Sequence, residues 1–167
     1  MKVKKIAFLG IMGALAIAVS FVEGFFNIPF LPPGAKPGLS NIITVSAYFI
    51  SGTWGAIYIA LLKALFALVT RGGVAFLLSF SGGMLSAFIM ILLLKMKKCP
   101  FSVMGISVIG AIFHNTGQII ASVIITKTVS LIYYLPALMV FSVIAGLVTG
   151  AVLKALTPLL KKAGGEV

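Results

Sequence analysis

Residues 101–126 read FSVMGISVIGAIFHNTGQIIASVIIT, a run that contains no acidic residue, lysine or arginine. A helix needs about 20 apolar residues to cross the hydrocarbon layer of a membrane, so this run is long enough to span one. Its centre nevertheless carries His114, Asn115 and Gln118. Polar side chains at that depth are costly in lipid, so they indicate either contacts between helices or a binding site.

The whole chain has the composition of a membrane protein. Of its 167 residues, 61% are hydrophobic and 9% are charged, and the mean hydropathy is +1.24. A water-soluble domain of this size needs more polar residues to cover its surface. We therefore expect an all-α integral membrane protein, with a single transmembrane domain over residues 1–167 and six transmembrane helices in one bundle. The predicted runs are 6–22, 39–51, 54–70, 74–94, 101–126 and 128–153.

The positive charges predict the orientation of these helices. The net charge is +11, with Glu23 and Glu166 as the acidic residues, but the basic residues lie at the ends of the runs and not on one solvated face. We therefore expect no nucleic-acid partner. Lysine and arginine accumulate on the cytoplasmic side of membrane proteins, which predicts that both termini are cytoplasmic and that the chain is a multi-pass protein of a prokaryotic cell membrane. The expected cytoplasmic lysines are Lys2, Lys4, Lys5, Lys95, Lys97, Lys98, Lys154, Lys161 and Lys162, and the expected outer cations are Lys36, Arg71 and Lys127.

Residues 1–21 allow a second interpretation. They have the basic start, the apolar centre and the small residues of a cleaved signal peptide. Their removal would break the alternation of helices that the positive charges support. We therefore expect this segment to remain as the first transmembrane helix.

Two helices bring polar groups to the middle of the predicted membrane. At 100° per residue, His114, Asn115, Gln118 and Ser122 share one stripe of their helix. Lys63 lies near the centre of the third run, where an ammonium group costs roughly 2.5–3.5 kcal/mol on insertion scales. A lysine near a helix end can extend to the interface, but at this depth we favour a buried pocket.

Further polar residues are expected in the outer half of the bundle. Asn41 begins the second run, and Ser81 precedes a pair of glycines in the fourth. The connection EGFFNIPFLPPGAKPG over residues 23–38 holds four of the seven prolines, which exclude a continuous helix, so we expect it to form a lid. Together these features predict an outward-facing binding site. The alternative is ordinary hydrogen bonding between helices, worth ~0.6 kcal/mol per pair.

Small residues recur at four-residue spacing in the first and last helices. Gly10, Ala14 and Ala18 form a flat stripe on which another helix can pack closely, either within the bundle or on a separate membrane subunit. Gly146 and Gly150 make a similar step, and there we favour packing inside the bundle.

The residues needed for most catalysis are missing from the sequence. There is one His, one Cys and no Asp, so neither a protein-only structural zinc site nor a Ser-His-Asp triad can be assembled. The phosphate-binding loop of ATPases, G-x-x-x-x-G-K-[ST], is also missing. We therefore expect no enzyme activity, no metal site and no cofactor.

Four segments resemble a known family. These are E…IPFLPPGAKPGLSN at 23–41, Lys63, LSFSGGMLSAFIM at 78–90 and GISVIGAIFHNTGQ at 105–118. They are similar to the family called Gx transporter or heptaprenyl diphosphate synthase component I, which resembles the substrate-binding S components of energy-coupling factor (ECF) transporters. The resemblance covers nearly the whole chain. The family usually has Arg at the position of Lys63, so a point charge here replaces a bidentate group.

The resemblance implies a function and partners. An S component has six helices, a small outward pocket and a stripe on its first helix, matched here by Ala14 and Ala18, that meets a coupling transmembrane subunit. Two cytoplasmic ATPases supply the energy. We expect capture of a small, anionic micronutrient or precursor, and the alternative is a non-catalytic membrane partner of a polyprenyl diphosphate synthase. The expected substrate-binding residues are Glu23, Lys36, Asn41, Lys63, Ser81, His114, Asn115 and Gln118.

Overall fold

The computed structural model describes residues 2–25, 38–96 and 100–164, and the regular structure in these residues is helical. Long apolar runs account for the long helices, which satisfy most of their backbone hydrogen bonds internally. The helices are α1 (Lys2–Glu23), α2 (Asn41–Arg71), α3 (Gly73–Lys95), α4 (Val103–Thr126) and α5 (Leu135–Gly164), with a 3₁₀ turn at Val129–Tyr134 before α5.

In the described residues, five helical segments are long and apolar enough to cross a membrane, so six separate helices are not confirmed. The predicted runs 39–51 and 54–70 form one element, α2, which is broken at Gly52 (φ 68°, ψ −157°). Glycine tolerates this positive φ, which lets the chain change direction without a separate loop.

The two halves of α2 fold back on each other. The Lys63 ammonium donates a hydrogen bond to the Asn41 side-chain oxygen at 3.2 Å, although the two residues are 22 positions apart. A continuous helix would separate them by about 33 Å. Residues 41–51 and 53–71 are therefore the two arms of a helical hairpin.

The last helix also differs from its prediction. The run 128–153 begins with the 3₁₀ turn, and α5 continues beyond residue 153 to Gly164 with Pro158 inside it. Hydropathy falls after Leu153 because polar residues follow, but lysine, alanine and leucine there still favour a helix. The end of the apolar run was therefore not the end of the helix.

The helices pack around α2. Helices α1, α3 and α5 each contact α2, and α4 lies between α3 and α5. On α1, Ala16 is buried against Ile43, Ala47 and Ile59, which belong to both arms of the α2 hairpin. A second apolar cluster joins α2 to the other helices through Val45, Ile50, Met90, Ile106, Leu153 and Leu160.

The two stripes of small residues have opposite surroundings. A Cβ atom on Gly146 would lie 2.5 Å from the Cα of Val108, so the close approach of α5 to α4 requires glycine there. This confirms the predicted internal packing. Gly10, Ala14 and Ala18 are instead exposed on α1, and a Cβ on Gly10 would meet no atom within 4 Å.

Candidate functional site

Lys63 is held inside the bundle by a polar partner. It is 3% exposed, and its ammonium donates to the side-chain oxygen of Asn41, which is 4% exposed. The fold of α2 produces this pair, because the turn at Gly52 places its first residue beside the middle of its second arm. A lysine that extended to the membrane surface would be exposed at its tip. The structure therefore supports the prediction of a buried lysine and not of a snorkelling one.

His114 and Gln118 form a second polar pair on α4. Both are 4% exposed, and the Gln118 Nε2 atom lies 3.2 Å from the His114 Nε2 atom, one helical turn away. Helix α3 passes directly over them at Gly82. A Cβ on Gly82 would lie 2.6 Å from the backbone oxygen of His114 and 2.8 Å from the Cγ of Gln118. The glycine pair noted in the sequence therefore lets α3 approach this face of α4.

The two polar pairs meet at Gly38. This residue has φ +80°, and a Cβ placed on it would lie 3.2 Å from the Asn41 amide nitrogen and 3.8 Å from the His114 ring. A side chain would be strained at this backbone angle and would fill the space between the two polar groups. Gly38 was not predicted as a site residue, although it lies in the segment IPFLPPGAKPGLSN that carries the family resemblance.

Glu23 lies at the end of α1 and joins that helix to the site. Its side chain is 2% exposed and accepts a hydrogen bond from the backbone N–H of Ser40 at 3.1 Å. The carboxylate is also close enough to Lys63 and Arg71 to act on them electrostatically. Lys36, a predicted substrate-binding residue, and most of the predicted lid over residues 23–38 lie outside the described residues.

Two predicted site residues are oriented by other partners. The Asn115 amide donates to the Ser142 hydroxyl at 2.7 Å and so faces α5. The Ser81 hydroxyl donates to the backbone oxygen of Leu78 at 3.2 Å, within its own helix. The structure therefore brings together Glu23, Asn41, Lys63, His114 and Gln118, while the side chains of Asn115 and Ser81 bond elsewhere.

Two polar atoms at the site are buried without a partner in the described part of the chain. Among the described residues, Asn41 Nδ2 and Gln118 Oε1 are buried and have no hydrogen-bond partner. An unsatisfied buried polar group costs roughly 1–3 kcal/mol, which a ligand with matching groups would recover. Residues 2–25, 38–96 and 100–164 contain no group of three His, Cys, Asp or Glu side chains that could hold a metal ion.

The site lies in a fold that is already known. The structure matches a solved chain described as the S component of a bacterial ECF transporter, with a TM-score of 0.74 and 22% sequence identity over 97% of this chain and 98% of that one. The comparison with curated proteins finds no match. The sequence model of the family described as heptaprenyl diphosphate synthase component I matches residues 12–156. The chain is thus a multi-pass membrane protein with an ECF S-component-like fold, and it belongs to the heptaprenyl diphosphate synthase component I family.

Proposed function

We propose that the chain is the substrate-binding membrane subunit of an ECF-type uptake transporter. The observation that carries this proposal is the buried Lys63–Asn41 pair, which meets His114 and Gln118 at Gly38. A charge in the middle of a membrane protein is costly, and such residues commonly mark a substrate pathway. The S-component-like fold supports the same function, because it is the fold of a known transport subunit.

The donors at the site fit a small carboxylate-bearing molecule. The Lys63 ammonium has two N–H groups beyond the one given to Asn41, and Asn41 Nδ2 is a second donor close by. Charge-assisted hydrogen bonds to a carboxylate are about twice as strong as neutral ones. Gln118 Oε1 is an acceptor and would take a ligand N–H or O–H group. Lys36 would add a positive charge from the loop, and Asn115 and Ser81 would contribute through shape more than through direct hydrogen bonds.

The orientation and partners follow from the same proposal. Counting the two arms of α2 as separate passes would give the chain six passes with both termini in the cytoplasm of a prokaryotic cell, a topology that the lysine distribution supports. The site then faces outward. Gly10, Ala14 and Ala18 are exposed and form the docking stripe for the coupling transmembrane subunit, which connects the chain to two cytoplasmic ATPases.

A catalytic role is not part of this proposal. The site offers one lysine, one histidine and one carboxylate that is already bonded to Ser40, with no aspartate anywhere in the sequence. The alternative, a non-catalytic partner of a polyprenyl diphosphate synthase, is not favoured. Its support is the family description alone, whereas the fold comparison and the polar cluster both agree with substrate binding.

Co-purification from native membranes tests the proposal. We expect the tagged wild-type protein, extracted in mild detergent, to bring with it a coupling membrane protein, two ATPases and a small carboxylate. A variant with Ala14→Leu and Ala18→Leu should lose the protein partners, because larger side chains block close helix contact, while keeping the small molecule. Mass spectrometry identifies both kinds of partner.

The matched control is Ala137→Leu, which enlarges an exposed alanine on α5. We expect it to keep the partners of the wild type. Recovery of a soluble prenyltransferase in place of the ATPases would contradict the transport function and establish the alternative.

A further inference from the structure

A groove outside the polar site runs between α2 and α3. It has a volume of about 340 Å³, and its walls include Ile57 on α2 and Met84, Phe88 and Leu92 on α3. Ligand pockets in proteins begin at roughly 300 Å³, so the groove is large enough to hold part of a small molecule or a chain. None of the residues that line it belongs to the site around Lys63.

The polar groups of the groove lie at one end. Helices α2 and α3 are antiparallel at this contact, because a Cβ on Gly83 would lie 4.0 Å from the Cβ of Ala60 and the helices are joined at Gly72. Thr53 begins the second arm of α2 and Lys95 ends α3, so both lie at the end of the groove away from Gly72. From Met84 to Lys95 the α3 wall is about 16 Å long.

The groove lies on the periphery of the helix bundle and is not enclosed by it. Phe88 is 64% exposed and Leu92 is 51% exposed, and Lys95 is exposed beyond them. In a spanning helix this surface faces lipid. A hydroxyl and an ammonium at the helix end, with only apolar side chains toward the membrane centre, match the order of headgroup and chain in one leaflet.

We propose that this groove is a binding site for an anionic phospholipid. One acyl chain lies between α2 and α3 against Ile57, Met84 and Phe88, and the phosphate meets the Lys95 ammonium with Thr53 as an additional donor. Charge complementarity favours an anionic lipid over a zwitterionic one, because Lys95 is the charged residue of the lining.

Competition between lipids with identical chains tests the headgroup contact. The purified full-length protein is mixed with equal amounts of dioleoyl phosphatidylglycerol and dioleoyl phosphatidylcholine, and retained lipid is counted by native mass spectrometry. We expect the wild type to retain phosphatidylglycerol preferentially. Lys95→Gln should reduce that preference about fivefold, the factor expected for one lysine near an anionic lipid surface. The control Lys154→Gln, which removes an exposed lysine on α5, should leave the preference unchanged.

A second variant tests the acyl-chain contact. Met84→Trp fills the groove and should remove one retained lipid of either type, whereas Leu77→Trp enlarges an exposed residue of α3 outside the groove and should not. Equal preference in the wild type and Lys95→Gln, or equal retention in Met84→Trp and Leu77→Trp, would overturn the proposal. Retention of added farnesyl diphosphate in preference to phosphatidylglycerol would overturn the assignment to a phospholipid.

Discussion

Helix α4 buries polar side chains on two faces, and the two faces differ in how completely these groups are paired. Toward α5, Asn115 donates to Ser142 at 2.7 Å, and the hydroxyls of Ser107 and Thr149 lie 2.9 Å apart. Toward α2 and α3, Gln118 contacts His114 at 3.2 Å. On this second face, counting partners among the described residues, the Gln118 oxygen and the nearby Asn41 amide nitrogen remain unsatisfied.

Under the proposed function, this difference separates a packing face of α4 from a ligand-binding face. The α4–α5 face is closed by glycines, since a Cβ on Gly150 would lie 2.8 Å from the Cα of Met104. Only the Asn115 oxygen lacks a partner there, within the described part of the chain. The face toward α2 and α3 lies beside the buried Lys63 ammonium. Hydrogen-bond donors and one acceptor there have no partner among the described residues. Polar groups that hold helices together find partners in the protein, whereas those of a binding site need a ligand to complete them.

The largest expected effect on stability lies on the α5 side. Gly146→Ala places a methyl group against the backbone of Val108, and overpacking of a close contact typically costs about 1–3 kcal/mol. We expect the variant to lose its monodisperse peak in size-exclusion chromatography at a clearly lower temperature than the wild type.

Gly10→Ala is the matched control for that experiment. It adds the same methyl group at an exposed position with no atom within 4 Å, and alanine has a better helix propensity than glycine. Its melting temperature should equal or exceed that of the wild type. Equal destabilisation by the two changes would show that α4 and α5 are not packed as described.

A smaller pair of effects should separate the two faces of α4. Gln118→Leu removes an acceptor from the candidate site, so it should lower ligand affinity about tenfold with little change in melting temperature. Ser142→Ala removes a hydrogen bond between helices, so it should cost ~0.6 kcal/mol of stability and leave ligand affinity unchanged. Affinity for the co-purified small molecule is measured by equilibrium dialysis. The opposite pattern, with Ser142→Ala weakening binding and Gln118→Leu not, would exchange the roles of the two faces.

The sequence predicts most of the fold but not its connections. The apolar runs predicted the bounds of α1, α3 and α4 to within a few residues, because the part of a helix that crosses a membrane must be predominantly apolar. They could not show that one residue, Gly52, joins the arms of α2. A run with a gap of two residues is compatible with a loop, a kink or a reversal, and the contact between Lys63 and Asn41 decides among them.

Part of the candidate site was also predictable. Buried polar residues in apolar runs indicated Lys63, His114 and Gln118, and all three are buried. Helical periodicity placed Asn115 on the same stripe as His114. Consecutive residues differ by 100° around the helix, so the Asn115 side chain can contact α5 as well as α2 or α3. The choice depends on Ser142, which lies 27 positions away and has no local signature in the sequence.

The most direct test of substrate binding at this site is the amount of co-purified small molecule per chain in Lys63→Met, compared with the wild type and with Lys154→Met. Removal of the buried ammonium should reduce the amount of bound molecule at least a hundredfold, because a charge-assisted contact inside a low-dielectric site is lost. The purified variant should remain monodisperse in size-exclusion chromatography. Lys63→Arg should retain binding, since it keeps the charge. Wild-type amounts of bound molecule in Lys63→Met would contradict the assignment of Lys63 to a substrate-binding site.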